Sequence, residues 1–231
     1  MKLNKILAMA ALAFVAVSCS DNDEPDGGNN NNTPAETKEM LVKTADYTVW
    51  TYINLKTGET ATATVPGPWW YNGVEDKENP ENNVPAKYVD PEIKGQVPAE
   101  WDIAVHYYEV RTNGTEAVKT NFTKFEEVTS LPAEGWVADE SFKAEDGKMY
   151  VDMKGMMKGI IGYGKGTINP SLCSWVTKTP TGSMPPYKYT VEENIFVVKC
   201  KNGAWAKIKF LDRLDEDGKK AVKFQYQYIS K

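Results

Sequence analysis

The stretch that decides the fold is 194-NIFVVKCKNGAWAKIKFLDRLDEDGKKAVKFQYQYI-229. Asn194 to Lys201 and Ala204 to Leu211 are apolar-alternating runs, and Asn202-Gly203 stands between them. An Asn-Gly pair in that position is a strong hairpin signal, because both residues tolerate the left-handed backbone of a two-residue turn. Asp215 to Gly218 turns the chain again into Ala221 to Ile229, where Val, Phe and Tyr recur at alternate positions. Hairpins in series predict an antiparallel meander.

Working outward, Tyr47 to Leu55 alternates aromatic and β-branched residues with polar ones. Lys56-Thr57-Gly58-Glu59 then turns the chain, and Thr60 to Val65 returns as a second hairpin. Pro66 to Glu100, rich in Pro and Asn and containing Trp69 and Trp70, reads as a long excursion. Met149 to Gly166, rich in Met and Gly, reads as a less regular region, Thr177 to Pro186 is loop-like, and a short helix is possible at Asn121 to Glu127. No internal repeat is visible. The expected fold is mostly β: one antiparallel β-rich domain over residues 38–231, built of consecutive hairpins with long loops and little helix.

The N-terminus predicts export. Lys2 and Lys5 precede an apolar run, Ile6 to Val17, of signal-peptide length and too short to span a membrane. Ala16-Val17-Ser18-Cys19 follows the lipobox pattern, so residues 1–18 read as a signal peptide and Cys19 as the lipidated first residue. Residues 19–37 then read as a disordered acidic tether. Ser20-Asp21-Asn22-Asp23-Glu24 resembles the surface-export signal of Bacteroidetes lipoproteins.

Composition excludes some functions. Without Lys2 and Lys5 the chain carries 25 basic against 32 acidic side chains, a net charge of −7, and its only arginines are Arg111 and Arg213. That balance offers no footprint for nucleic acid. A single histidine, His106, cannot build a multi-histidine metal site, and it reads as a structural side chain hydrogen-bonded within the domain. The acidic turn Asp215-Glu216-Asp217-Gly218 fails the calcium-loop pattern, because Arg213 stands where an acid is required. Glycines 155, 159, 162, 164 and 166 lack the Gly-Lys-Ser/Thr ending of a phosphate loop. Cys173 and Cys200 could form a disulfide or be two buried thiols. The chain is therefore expected to bind rather than to catalyse. With 7 Trp and 12 Tyr, a surface glycan-binding or adhesive role through Trp69 and Trp70 is the alternative.

Methionine is the unusual feature. Met149, Met153, Met156 and Met157 crowd into nine residues, and Met184 sits in the later loop Gly182-Ser183-Met184-Pro185-Pro186. Methionines often fill core gaps. Thioether sulfur is also a soft ligand for haem iron and needs no deprotonation. Two loops offering one Met each could clamp a porphyrin from opposite faces. Tyr163, Trp175 and Tyr187 could then form its walls, and Lys154, Lys158 and Lys165 could meet its propionates.

Trp101-Asp102-Ile103-Ala104-Val105-His106, followed by Arg111-Thr112-Asn113-Gly114, resembles the HmuY-like haem-binding lipoproteins of Bacteroidetes. The order of the Trp50-Thr51-Tyr52 strand, Gly135-Trp136, the Met/Gly region and the closing hairpins is also similar, from about Ala45 to Ile229. The resemblance implies a mostly β haemophore on the outer membrane, surface-exposed or released. It would capture haem, host haem proteins being candidate donors, and hand it to an outer-membrane TonB-dependent haem receptor. Members use paired histidines or paired methionines as iron ligands, and one histidine excludes the first. The resemblance thus implies Met157 and Met184 as axial ligands, with Met156 the alternative to Met157, and Tyr163, Trp175, Tyr187 and Lys158 about the pocket.

Overall fold

The computed structural model describes residues 35–44, 46–65, 67–142, 150–183, 187–216 and 219–231. The expected leader, Cys19 and the tether as far as residue 34 lie outside the described residues, as do Met149, Met184 and Asp217-Gly218 of the last turn. In chain order the strands are β1 (Thr37–Lys43), β2 (Val49–Ile53), β3 (Thr60–Thr64), β4 (Trp69–Tyr71), β5 (Lys87–Val89) and β6 (Ile103–His106). There follow β7 (Glu109–Thr112), β8 (Glu116–Lys119), β9 (Val137–Ala138), β10 (Glu140–Phe142), β11 (Tyr150–Asp152) and β12 (Gly162–Gly164). The last six are β13 (Gly166–Ile168), β14 (Val176–Pro180), β15 (Tyr187–Val191), β16 (Phe196–Lys199), β17 (Trp205–Glu216) and β18 (Lys219–Ile229). The one α-helix among the described residues is α1 (Pro170–Cys173), capped by the Asn169 side chain, which accepts from the Leu172 amide.

The mostly β, antiparallel expectation holds, and the closing meander forms, with β16, β17 and β18 paired in sequence. The Asn202-Gly203 turn is longer than two residues, because Lys199 pairs with Trp205, and only Gly203 is left-handed. The three strands sit in a six-stranded sheet ordered β1-β18-β17-β16-β8-β9. A second sheet runs β3-β2-β6-β7 and a third runs β11-β12-β4-β5, with β10-β13 and β14-β15 as two-stranded ribbons.

Three layers result. Ile53 and Leu55, with Ile103 and Val105, pack against Phe196, Ile208, Phe210 and Phe224 of the six-stranded sheet. Trp50, Tyr52 and Ala104 point the other way and pack with Trp69, Phe142 and Tyr150. The middle sheet is therefore buried on both faces, and all four residues of β6 are buried. Each fully buried large apolar side chain contributes roughly 1.5–3 kcal/mol. A one-residue slip would exchange the two faces, so both cores fix the register of β2 and β6. On the outer face of the six-stranded sheet, Phe125 and Val128 pack on Val118, Ile195 and Val197.

The Trp101–His106 motif is scaffold. Its Asp102 carboxylate accepts from the Leu55 amide at 2.8 Å, and the Asn113 side chain donates to the Trp101 carbonyl at 2.8 Å.

Four local expectations need correction. The 66–100 excursion contains β4 and β5 and a 3-10 turn at Pro80–Asn82. Val176–Pro180, read in part as loop, is a strand paired along its length with Tyr187–Val191. The Met/Gly region supplies β11 and β12, and the short helix considered at 121–127 shrinks to a 3-10 turn at Phe125–Glu127. Short strands carry too few residues to show a period, and their pairing partners decide them.

The glycines of that region admit aromatic rings rather than phosphate. A Cβ on Gly164 would stand 2.9 Å from the Trp69 ring, and one on Gly166 would stand 1.9 Å from Tyr150 Cε2. The Tyr150 ring is fully packed and its hydroxyl donates to the Thr167 carbonyl at 2.6 Å, so it has nowhere to retreat. Gly166→Ala is expected to cost about 1–3 kcal/mol by overpacking. That loss appears in thermal unfolding as a Tm lower by roughly 2–4 °C per kcal/mol. An unchanged Tm would show that the strand can move off the ring.

Candidate functional site

The Met-rich segment is the tip of a hairpin. Strands β11 and β12 pair Tyr150 with Gly164, Val151 with Tyr163 and Asp152 with Gly162. Beyond them the chain makes a 3-10 turn, Met156–Lys158, closed by Gly159 at φ +71°, whose amide donates to the Met156 carbonyl at 2.9 Å. A left-handed residue at that point suits glycine.

The tip is fastened at both ends. The buried Asp152 carboxylate accepts from the Tyr71 hydroxyl at 2.7 Å and the Lys154 amide at 2.9 Å. The Asn72 side chain accepts from the Ile161 amide and donates to the Gly159 carbonyl. On this anchored turn Met153 is 36 %, Met156 48 % and Met157 92 % exposed. These three methionines do not fill the core. Met157 presents its thioether to solvent from a held backbone.

A second hairpin, β14–β15, runs in register from Val176 opposite Val191 to Pro180 opposite Tyr187, and residues 181–186 connect it. Met184 falls in that connection and lies outside the described residues. Tyr187 is half-exposed at the outer end of β15, with the Lys178 ammonium 3.9 Å above its ring. Trp175 is a correction to the sequence reading. It precedes β14 but is fully buried, stacked on Phe210 at 4.7 Å, and its indole N–H donates to the Tyr108 carbonyl at 2.8 Å. Its ring faces are taken up by the core, so it anchors the second hairpin instead of lining a pocket.

A group that sequence reasoning missed touches both hairpins. The Asp46 carboxylate accepts from Lys154 at 3.1 Å and Lys94 at 3.0 Å, tying the first hairpin to the chain before β2. Partial burial alone would raise the Asp46 carboxyl, but the Thr48 amide and the two lysines outweigh it and hold the group well below the usual carboxylate range. Next along, Tyr47 stacks on Tyr107 at 4.6 Å, and Lys220 Nζ stands 4.3 Å over the Tyr107 ring. Tyr107 itself has φ +62°, an unusual conformation for a non-glycine residue, in the two-residue turn between β6 and β7.

Arg213 completes the group, with its guanidinium carbon 3.9 Å over Tyr189 of β15 and 6.0 Å over Tyr108. A bulge puts it there. Phe210 pairs with Phe224 and Asp212 with Lys223, so Leu211 is an extra residue. The shift sets Arg213 opposite the core-facing Val222 and so on the inner side of the sheet. Its Nε is buried without a hydrogen-bond partner. The usable sequence signal was composition: Arg213 is one of only two arginines.

His106 is buried, and its two ring nitrogens meet the Glu109 carboxylate at 3.1 Å and the Tyr47 carbonyl at 2.5 Å. Both are occupied, so the ring offers no lone pair to a metal. Among the described residues no group of three His, Cys, Asp or Glu side chains could hold a metal ion. Cys173 and Cys200 are free thiols, and burial pushes Cys173 up to about 12. Of the two tryptophans considered for sugar stacking, Trp69 is buried in the core, and Trp70 stacks on Tyr163 at 5.6 Å. The Trp69 ring is therefore closed to a glycan.

The HmuY protein family matches residues 46–228. None of the curated proteins matches the chain. Among solved structures, the chain is similar to the apo HmuY analogue TFO of Tannerella forsythia, at 31 % identity and TM-score 0.68, over 87 % of this chain and 100 % of that one. It is similar to apo PinO from Porphyromonas gingivitis at 31 % identity and TM-score 0.65, over 86 % and 100 % of the two chains. A protein of Bacteroides vulgatus described as HmuY-like and heme-binding matches at 26 % identity and TM-score 0.63, over 84 % and 93 %.

Proposed function

The chain belongs to the HmuY family, and from this premise we propose that it captures haem between its two hairpin tips through Met157 and Met184. Haem here is cargo, taken up and passed on without turnover. The observation that carries the reading is Met157, 92 % exposed on an anchored turn where a core-filling methionine would be buried. A large exposed apolar side chain on a rigid tip is a poor packing element and a good soft ligand. Met156, at 48 % exposure, is the alternative on the same turn.

Around the two ligands, Tyr163 and Tyr187 serve as walls and Lys158 as a propionate partner. Lys154 is engaged by Asp46, so Arg213 and Lys220 join Lys158 as candidates for that role. The export leader, lipidation at Cys19 and the acidic tether would place the domain on the outer surface. Handing haem to an outer-membrane TonB-dependent receptor completes the proposed route.

The test is a visible absorption titration of the mature domain with haem, oxidised and then reduced. Two neutral thioethers leave the charge of ferric iron uncompensated and favour the ferrous state. Ferrous haem is expected to bind about tenfold tighter or more, the ratio that a 59 mV upward shift of a one-electron couple represents. Equal or tighter ferric binding would count against paired methionines. A featureless titration would discard the haem reading and leave the fold and the family standing.

A further inference from the structure

A second cleft, of about 280 Å³, opens beside the middle sheet, away from the hairpin tips. Trp50, Val65, Phe142 and Tyr150 make its apolar walls. Arg111 and Lys165 bring two cations to it, and Ser141 and Thr167 bring hydroxyls. Met153, Met156, Met157 and Tyr163 do not line it. Its described lining contains no carboxylate, in a chain with net charge −5.

Neither cation is fully partnered among the described residues, although Arg111 also feels the partly buried Asp139 carboxylate. Arg111 is packed among aromatic rings, its guanidinium carbon 4.8 Å from the Trp50 centroid and 5.4 Å from those of Tyr52 and Trp101. It spends Nη2 on the Tyr52 hydroxyl at 2.7 Å, and its Nε is buried with no hydrogen-bond partner. Neither Arg111 nor Lys165 takes part in an ion pair among the described residues. Ring faces compensate a guanidinium in part, but a buried N–H left unpaired still costs stability. An anion in the cleft would stand between the two cations, and a carboxylate matches the guanidinium fork. Trp50, Val65, Phe142 and Tyr150 are almost wholly buried, so they offer the cleft narrow apolar edges that suit a small apolar body behind the charge. A space this size, just under the usual range for drug-sized ligands, suits a fragment-sized molecule.

We propose that this cleft binds a small organic carboxylate with an aromatic or short aliphatic body, at a site separate from that of haem. The probe is benzoate, titrated into the mature chain by calorimetry and by ligand-observed NMR, with benzamide as its uncharged isostere. Benzoate is expected to bind saturably and benzamide about tenfold more weakly or worse. Arg111→Met and Lys165→Met should each weaken benzoate by a similar factor. Lys165 is exposed and supports no described hydrogen bond, so Lys165→Met folds and keeps the test decisive if Arg111→Met does not. Benzoate should also bind with haem already present. Equal affinity for benzamide, wild-type affinity in Lys165→Met, or no saturable binding would each overturn the proposal. So would displacement of benzoate by stoichiometric haem, which would assign the two cations to the propionates.

Discussion

Replacing Met157 and Met184 together by Ala is expected to abolish the low-spin haem spectrum and leave the protein folded. The stability half follows from exposure. Met157 is 92 % exposed, so truncation removes almost no buried surface and should cost within about 0.5 kcal/mol. The turn beneath it is held by backbone bonds and by Asn72 and Asp152, none of which uses the Met157 side chain. The spectral half follows from ligation: low-spin iron needs two strong axial ligands, and removing both leaves only the porphyrin contacts. Each single variant should give a high-spin or mixed spectrum with weakened affinity. Met156→Ala should behave as wild type if Met157 is the ligand and as the single variant if it is not. Unchanged low-spin bands in the double variant, with unaltered circular dichroism, would sink the assignment of both residues.

Trp175→Ala is expected to lower stability by about 3–5 kcal/mol, the range for emptying a large aromatic site in a packed core. Three losses combine: the stack on Phe210, the buried area, and the hydrogen bond that satisfies the Tyr108 carbonyl. Against a typical total of about 5–15 kcal/mol, much of the reserve would go. Denaturant unfolding reads the loss directly. The position adds a functional consequence, because the Glu192 amide donates to the Trp175 carbonyl at 2.8 Å just where β14 and β15 leave the core. Loosening that junction loosens the hairpin that leads to Met184. Trp175→Phe keeps most of the volume, so it should bind haem like wild type while losing stability through the missing N–H. Wild-type stability in Trp175→Ala together with lost haem binding would restore Trp175 to the pocket wall.

These two residues mark how far a candidate site can be read from sequence. The exposure of Met157 was legible because thioethers clustered among glycines make poor core. Trp175 was misread because an aromatic beside a loop looks the same whether its ring faces a ligand or Phe210. Arg213 was passed over because alternation along β17 says nothing of a bulge, and the unpaired Leu211 reverses which side follows. The Arg111 of the second cleft was noticed only as part of a scaffold motif. Its unpaired Nε depends on Trp50, Tyr52 and Trp101, brought together from distant parts of the chain.

By itself the sequence determined the closing meander, the β2–β3 hairpin and the β-rich class. Those rest on turn residues and on side-chain period, which act over a few neighbouring positions. Only the tertiary structure decided that β2 and β6 form a middle layer buried on both faces. It also decided that Gly166 exists to admit Tyr150 and that the Met153–Met157 segment stands clear of every core. Stacking of layers joins residues far apart in the chain. Its outcome depends on which faces meet, and no local pattern carries that information.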